Sequence, residues 1–134
     1  MPTFLHHWRF LLRLSSHYPS FEEKAAYLIC SIAGSQYFSN GNKRLSVVTL
    51  LMFLIVNEAN FADLTKDQLK VVLTDSFPKH VWEENLQIRG DHSLFLYNLA
   101  IALGDRTRWE SDDFGTLREK VAKLFRFLYW LPVY

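Results

Sequence analysis

The chain has a single cysteine, Cys30, and no long run of basic residues. One thiol excludes an internal disulfide framework and a multi-cysteine zinc site, and it fits a reducing compartment. Fifteen basic residues against fourteen acidic ones leave a formal net charge of +1, too small for broad electrostatic binding to nucleic acid. The apolar run Leu45 to Val56 falls short of the ~20 residues that a membrane span requires. The apolar stretch Phe4 to Leu14 contains His6, His7, Arg9 and Arg13, unlike the uncharged core of a signal peptide. A soluble, cytoplasmic protein without membrane contact is the expectation. Clear strands, internal repeats and low-complexity tracts are also missing from the pattern.

What is present is apolar and aromatic. Of 134 residues, 49% are hydrophobic and 16% aromatic, enough for one domain, residues 1–134, with a sizeable core and aromatic surface left for a partner. The spacing of Leu5, Trp8, Leu11 and Leu12 predicts a helix from about Thr3 to Leu14. Ser20 and Glu23 form a capping-box pattern that predicts a helix to about Gly34, with Ala25, Leu28, Ile29 and Ile32 inward. Helices are further predicted from Asn42 to about Asn57, from Thr65 with Gln68 to about Thr74, and, after a break at Pro78, over Val81 to Ile88. Asp91 is expected to cap a helix ending at Gly104, and Thr116 with Glu119 to start a final helix to about Trp130, stopped by Pro132. The polar stretch Asp105 to Gly115 reads as a mobile loop. The expectation is an all-α bundle of six or seven helices around a central buried helix at about 42–57, because that segment is apolar almost all round.

The stretch Gln36-Tyr37-Phe38-Ser39-Asn40-Gly41-Asn42-Lys43-Arg44 carries the chemistry. An Asn-Gly turn opens a helix whose first residues include two cations, so free backbone N–H groups and positive side chains converge as in an anion site. Lys43 and Arg44 oppose the helix macrodipole, which structure alone would rather satisfy with acids. They imply phosphate binding, the alternative being an ion pair with Glu22 or Glu23. Gly41 and Asn42 set loop geometry, and Phe38 anchors the loop in the core.

These residues resemble the signature of the Fic/Doc family, or Fido domain: His, any residue, Phe, any residue, Asp or Glu, Gly or Ala, Asn, Gly or Lys, Arg. Phe38, Gly41, Asn42, Lys43 and Arg44 match in order, and Lys43 in the eighth place resembles the Doc (death on curing) branch. Gln36 stands at the family's catalytic His and Asn40 at its metal-binding acid. The resemblance is clearest over residues 18–73, and the segment from about Asp75 has no recognisable correspondence. Only about twenty residues precede the matching helix, fewer than the family's target-docking flap needs.

In the family the His deprotonates a target hydroxyl while metal and loop hold nucleotide phosphates. Gln36 has no group that titrates near neutrality, and Asn40 offers magnesium only a neutral oxygen. The resemblance therefore implies a pseudoenzyme or regulatory module that retains a phosphate loop, derived from a toxin–antitoxin toxin, with a protein partner such as an antitoxin or a translation factor. The alternative is an active enzyme, transferring AMP (AMPylation) or phosphate to a protein target with ATP or another nucleotide and magnesium. A small helical nucleic-acid binder is a second alternative, disfavoured by the net charge.

The other candidates are weaker. His6 and His7 point to different helix faces, and His80 with Glu83 offers two metal ligands at most. His17 and His92 are the candidates for a substitute base. Cys30 reads as a core thiol. Phe125, Phe127, Tyr129, Trp130 and Tyr134 read first as core packing and second as a self-association surface.

Overall fold

The computed structural model describes residues 20–33, 42–104 and 114–132. In chain order these form α1 (Phe21–Ala33), α2 (Asn42–Val56), β1 (Asn60–Phe61), α3 (Lys66–Ser76), α4 (Asp91–Gly104), α5 (Phe114–Leu128) and β2 (Tyr129–Trp130). The protein is predominantly helical, as its periodicity predicts. Among the described residues no helix is long and apolar enough to cross a membrane.

Local chemistry explains the helix ends. The Ser20 hydroxyl accepts from the Glu23 N–H at 3.2 Å, with Glu22 and Glu23 in the first turn of α1, where negative charge meets the positive end of the macrodipole. The Thr65–Gln68 capping box is complete: Gln68 N–H donates to the Thr65 hydroxyl and Thr65 N–H to the Gln68 side chain. The end of α2 is a Schellman motif built without glycine. Glu58 lies in the left-handed region at φ 55°; its N–H donates to the Ile55 carbonyl, and that of Ala59 to the Leu54 carbonyl. Together these two bonds satisfy carbonyls that the helix itself leaves open.

Four local expectations need correction, and one about which helix is central. No helix covers Val81 to Ile88, because side chains take the backbone groups that a helix would use: Asn85 accepts from Gln87 N–H, and Asn98 bonds both the N–H and the carbonyl of Glu83. Such local bonds compete directly with helix formation. Gly90, not Asp91, occupies the cap of α4; its φ is +94° and its carbonyl accepts the first helical bond, from Leu94. That φ suits a residue without a Cβ. Thr116 lies inside the first turn of α5, which begins at Phe114. Finally, the chain leaves α5 at Tyr129 and becomes extended, so a short strand pair does exist: Asn60 faces Trp130 and Phe61 faces Tyr129, antiparallel. Ala62 N–H extends the ladder to the Leu128 carbonyl.

The buried residues form one cluster drawn from all five helices. Its most enclosed member is α4, in which Leu94, Phe95, Leu96 and Asn98 to Leu103 are all buried. This helix lies against α1, α2 and α3. The expected centre, α2, is enclosed on one side only: Val47, Leu50, Phe53 and Leu54 are buried, while Val48, Met52, Ile55 and Val56 are exposed. An apolar circumference therefore does not by itself make a helix central; the number of neighbours does. At the other end of the chain, Phe125 and Tyr129 are core residues, whereas Phe127 and Trp130 are exposed.

Candidate functional site

Helix α1 ends at Ala33 and α2 begins at Asn42, so the motif bridges two helices and its last three residues open the second. Gln36, Phe38, Asn40 and Gly41 lie outside the described residues. Asn42, Lys43 and Arg44 form the first turn of α2, which contains no acidic residue. The first N–H groups of any helix lack partners within it. Here no acid of the same turn offsets the positive end of the dipole, and Lys43 and Arg44 add to it.

The two helices are antiparallel neighbours. The ring of Phe21, first residue of α1, stacks on Phe53, near the end of α2, with centroids 5.3 Å apart and planes 13° from parallel. The start of α2 and the end of α1 therefore share the opposite end of the pair, where the motif joins them. Glu22 accepts from Arg126 Nε at 3.0 Å, which ties α1 to α5; the side chains of Lys43 and Arg44 lie outside the described residues.

Two histidines have defined places, and His92 has both ring nitrogens engaged. The Nε2 atom of His92 lies 2.8 Å from the Ala62 carbonyl and its Nδ1 3.0 Å from the Tyr129 hydroxyl. A carbonyl only accepts, so Nε2 carries the proton and Nδ1 accepts from Tyr129. Burial pushes the Tyr129 hydroxyl pKa upward, which keeps it a donor. Phe61 closes this group edge-on, 5.1 Å from both the His92 and Tyr129 rings. His92 thus joins the strand pair to α4, and the substitute-base role expected of it has no geometric basis here. His17 lies outside the described residues.

His80 belongs to a second group that sequence reasoning missed, centred on the fully buried Asn98. The Asn98 Oδ1 accepts from His80 Nε2 at 2.9 Å and from Glu83 N–H at 2.7 Å, while Nδ2 donates to the carbonyls of Glu83 at 2.9 Å and Leu94 at 3.0 Å. All four bonding positions of the amide are used. This fastens the non-helical segment 77–90 to α4. The legible signal was a lone amide inside the apolar stretch Leu94 to Leu103. Beside it, Lys70 lies over the Trp82 ring at 5.6 Å, and Lys66 and Lys70 pair with Glu84. The Lys66 hydrogen bond, followed by the field of both lysines, holds the Glu84 carboxyl below its usual range.

The remaining chemistry is quiet. Burial pushes the Cys30 thiol up to about 12, against a small opposing effect of Arg118, so it is a core thiol and not a nucleophile. Among the described residues no three His, Cys, Asp or Glu side chains converge to hold a metal. No protein-family model matches the chain, and neither a curated protein nor a solved structure matches it.

Proposed function

We propose that the protein is a Fic/Doc-like domain of the Doc branch that has lost transfer chemistry and acts as a pseudoenzyme or regulatory module through a retained phosphate loop. One observation carries the reading: α2 begins at Asn42, the residue after the Asn40-Gly41 pair of the sequence, with Lys43 and Arg44 in a first turn free of acids. A phosphate there meets unpaired N–H groups and two cations at once. Gln36 and Asn40 supply neither a base nor a metal-binding carboxylate, so the site holds phosphate and does not transfer it. The partner class is a protein, in the manner of an antitoxin or translation factor.

The test is a titration of ATP and of inorganic phosphate followed by NMR. Shifts should concentrate on the amides of residues 41–44, and Arg44→Ala should weaken binding about tenfold, the equivalent of one charge-assisted bond. No perturbation at millimolar ligand would end the reading. Incubation with magnesium and ATP labelled at the α- or γ-phosphate should give no turnover. Gln36→His with Asn40→Asp should yield more self-modification than either change alone, because groups that act as a unit are non-additive. Wild-type turnover at ordinary enzyme rates would make the protein an active transferase.

A further inference from the structure

We infer that the contact between His80 and Asn98 is a proton-operated latch: it closes over a neutral imidazole and releases residues 80–88 from α4 when the ring is protonated. The amide of Asn98 fixes which ring nitrogen holds the hydrogen. Its Nδ2 donates to the carbonyls of Glu83 and Leu94, and its Oδ1 accepts from Glu83 N–H at 2.7 Å, so the amide cannot be turned over. An amide oxygen only accepts, and the His80 Nε2 at 2.9 Å from it therefore carries the hydrogen. A neutral ring has one N–H, which leaves Nδ1 with a bare lone pair.

That lone pair is shut in. Nδ1 is buried and has no hydrogen-bond partner among the described residues. Protonation would put an N–H there and a charge on the ring, and an unbonded donor on a charged group is more costly to bury than an unbonded lone pair on a neutral one. The Trp82 indole nitrogen, the other buried and unpartnered atom of the segment, is itself a donor and offers the new N–H nothing. The surrounding charges do not favour a cation either. From α3 come Lys66 and Lys70, and the segment's own Glu84, which could have attracted a protonated ring, pairs with both of them. Helix α5 brings Lys120, over the Phe77 ring at 5.2 Å, Lys79 stands next to His80 in the chain, and α4 has no charged residue from Leu94 to Leu103. Among the described residues no carboxylate pairs with His80, those of Asp67, Asp75 and Glu83 included.

His92 shows the contrasting case. Its Nδ1 faces the Tyr129 hydroxyl at 3.0 Å, and a hydroxyl oxygen can accept as well as donate, so a second proton on that ring still finds a partner. His80 has no such alternative except to leave. Among the described residues the hydrogen bonds from 80–88 to α4 all run through Asn98, and the groups they free on His80 and Glu83 can turn to water. The released ring takes up a proton more readily than the latched one, so the latch is shut above the ordinary imidazole range, ~6.5, and opens as the pH falls through it. None of the residues involved belongs to the phosphate motif, and the latch operates whether or not that motif binds an anion.

The experiment follows the full chain by NMR from pH 8 to pH 5. At pH 8 the ring nitrogens of His80 should report the Nε2–H tautomer. Amide exchange, corrected for its intrinsic pH dependence, should show the protection of Glu83 N–H falling ~10-fold or more toward pH 5, a latch that admits no proton at all giving about 30-fold. The amides of Leu99 to Leu103 in α4 should keep their protection throughout. His80→Gln retains a donor for Asn98 and cannot titrate, so it should make the Glu83 protection independent of pH. His80→Ala should lower that protection at every pH and leave it equally flat. An Nδ1–H tautomer, or wild-type protection at Glu83 that does not change with pH, would overturn the inference. So would a pH dependence that survives in both variants, or loss of protection in α4 together with Glu83, which would mean that acid unfolds the whole domain.

Discussion

Helices α2 and α4 are near twins as sequence and opposites as structure. Both are apolar on almost every side, and both carry polar residues in their buried portions, Ser46 and Thr49 in α2 and Asn98 in α4. Yet α4 is flanked by α1, α2 and α3 and all but closed to solvent, whereas α2 shows the stripe from Val48 to Val56. Thr49 and Asn98 differ in the same way. Asn98 spends every bonding position on neighbours, while the Thr49 hydroxyl, also fully buried, has no hydrogen-bond partner among the described residues. Hydrophobicity alone makes a helix eligible for the centre. Neighbours on all sides, and a use for each buried polar atom, are what put it there.

Truncation separates the two most sharply. Phe95→Ala in α4 removes a fully buried ring and should cost about 3–5 kcal/mol, whereas Val48→Ala on the exposed face of α2 should cost about 1 kcal/mol or less. Chemical denaturation of both variants checks this, and equal losses would break the contrast. Asn98→Ala comes next, at about 2–3 kcal/mol, because four partner groups lose their bonds but segment 77–90 can swing out and recover some of them from water. Hydrogen exchange should then speed up first at residues 80–88 and only later in α4. Simultaneous loss of protection everywhere would mean that Asn98 supports the whole core and not a local clamp.

The smallest effect has the opposite sign. Thr49→Val replaces an unpartnered hydroxyl by a methyl of the same shape, and it should raise stability by about 1 kcal/mol, the lower end of the cost of burying an unbonded polar group. A loss instead would reveal that the hydroxyl is satisfied in solution, and with it that Thr49 is as fully used as Asn98.

The fold was legible wherever a few adjacent residues decide the outcome. Ser20 with Glu23 and Thr65 with Gln68 mark helix starts because each cap is closed within four residues, and the start of α2 at Asn42 was signalled by the Asn-Gly pair that precedes it in the sequence. What could not be read depends on residues far apart. Trp130 becomes a strand residue because Asn60 awaits it, and residues 81–88 fail to form a helix because Asn98, on another element, takes their backbone groups. The candidate site divides along the same line. Its residue types and its place at a helix start were legible from one stretch of sequence, whereas His92, a candidate base on chemical grounds, is committed to Ala62 and Tyr129 by contacts that no local pattern announces.

The pairing of Asn60–Phe61 with Tyr129–Trp130 sets a timetable for the newborn chain. Synthesis runs from the N-terminus at roughly 5–20 residues per second, so α2, β1 and His92 are made several seconds before the residues that complete them. During that interval Phe61 has no Tyr129 to pack on, and one ring nitrogen of His92 has no hydroxyl to receive. The core can gather α1 to α4 early, but it closes only when residues 128–130 arrive. A ribosome that stalls before Tyr129 would therefore release a chain with nearly all of its helices and an open seam along β1.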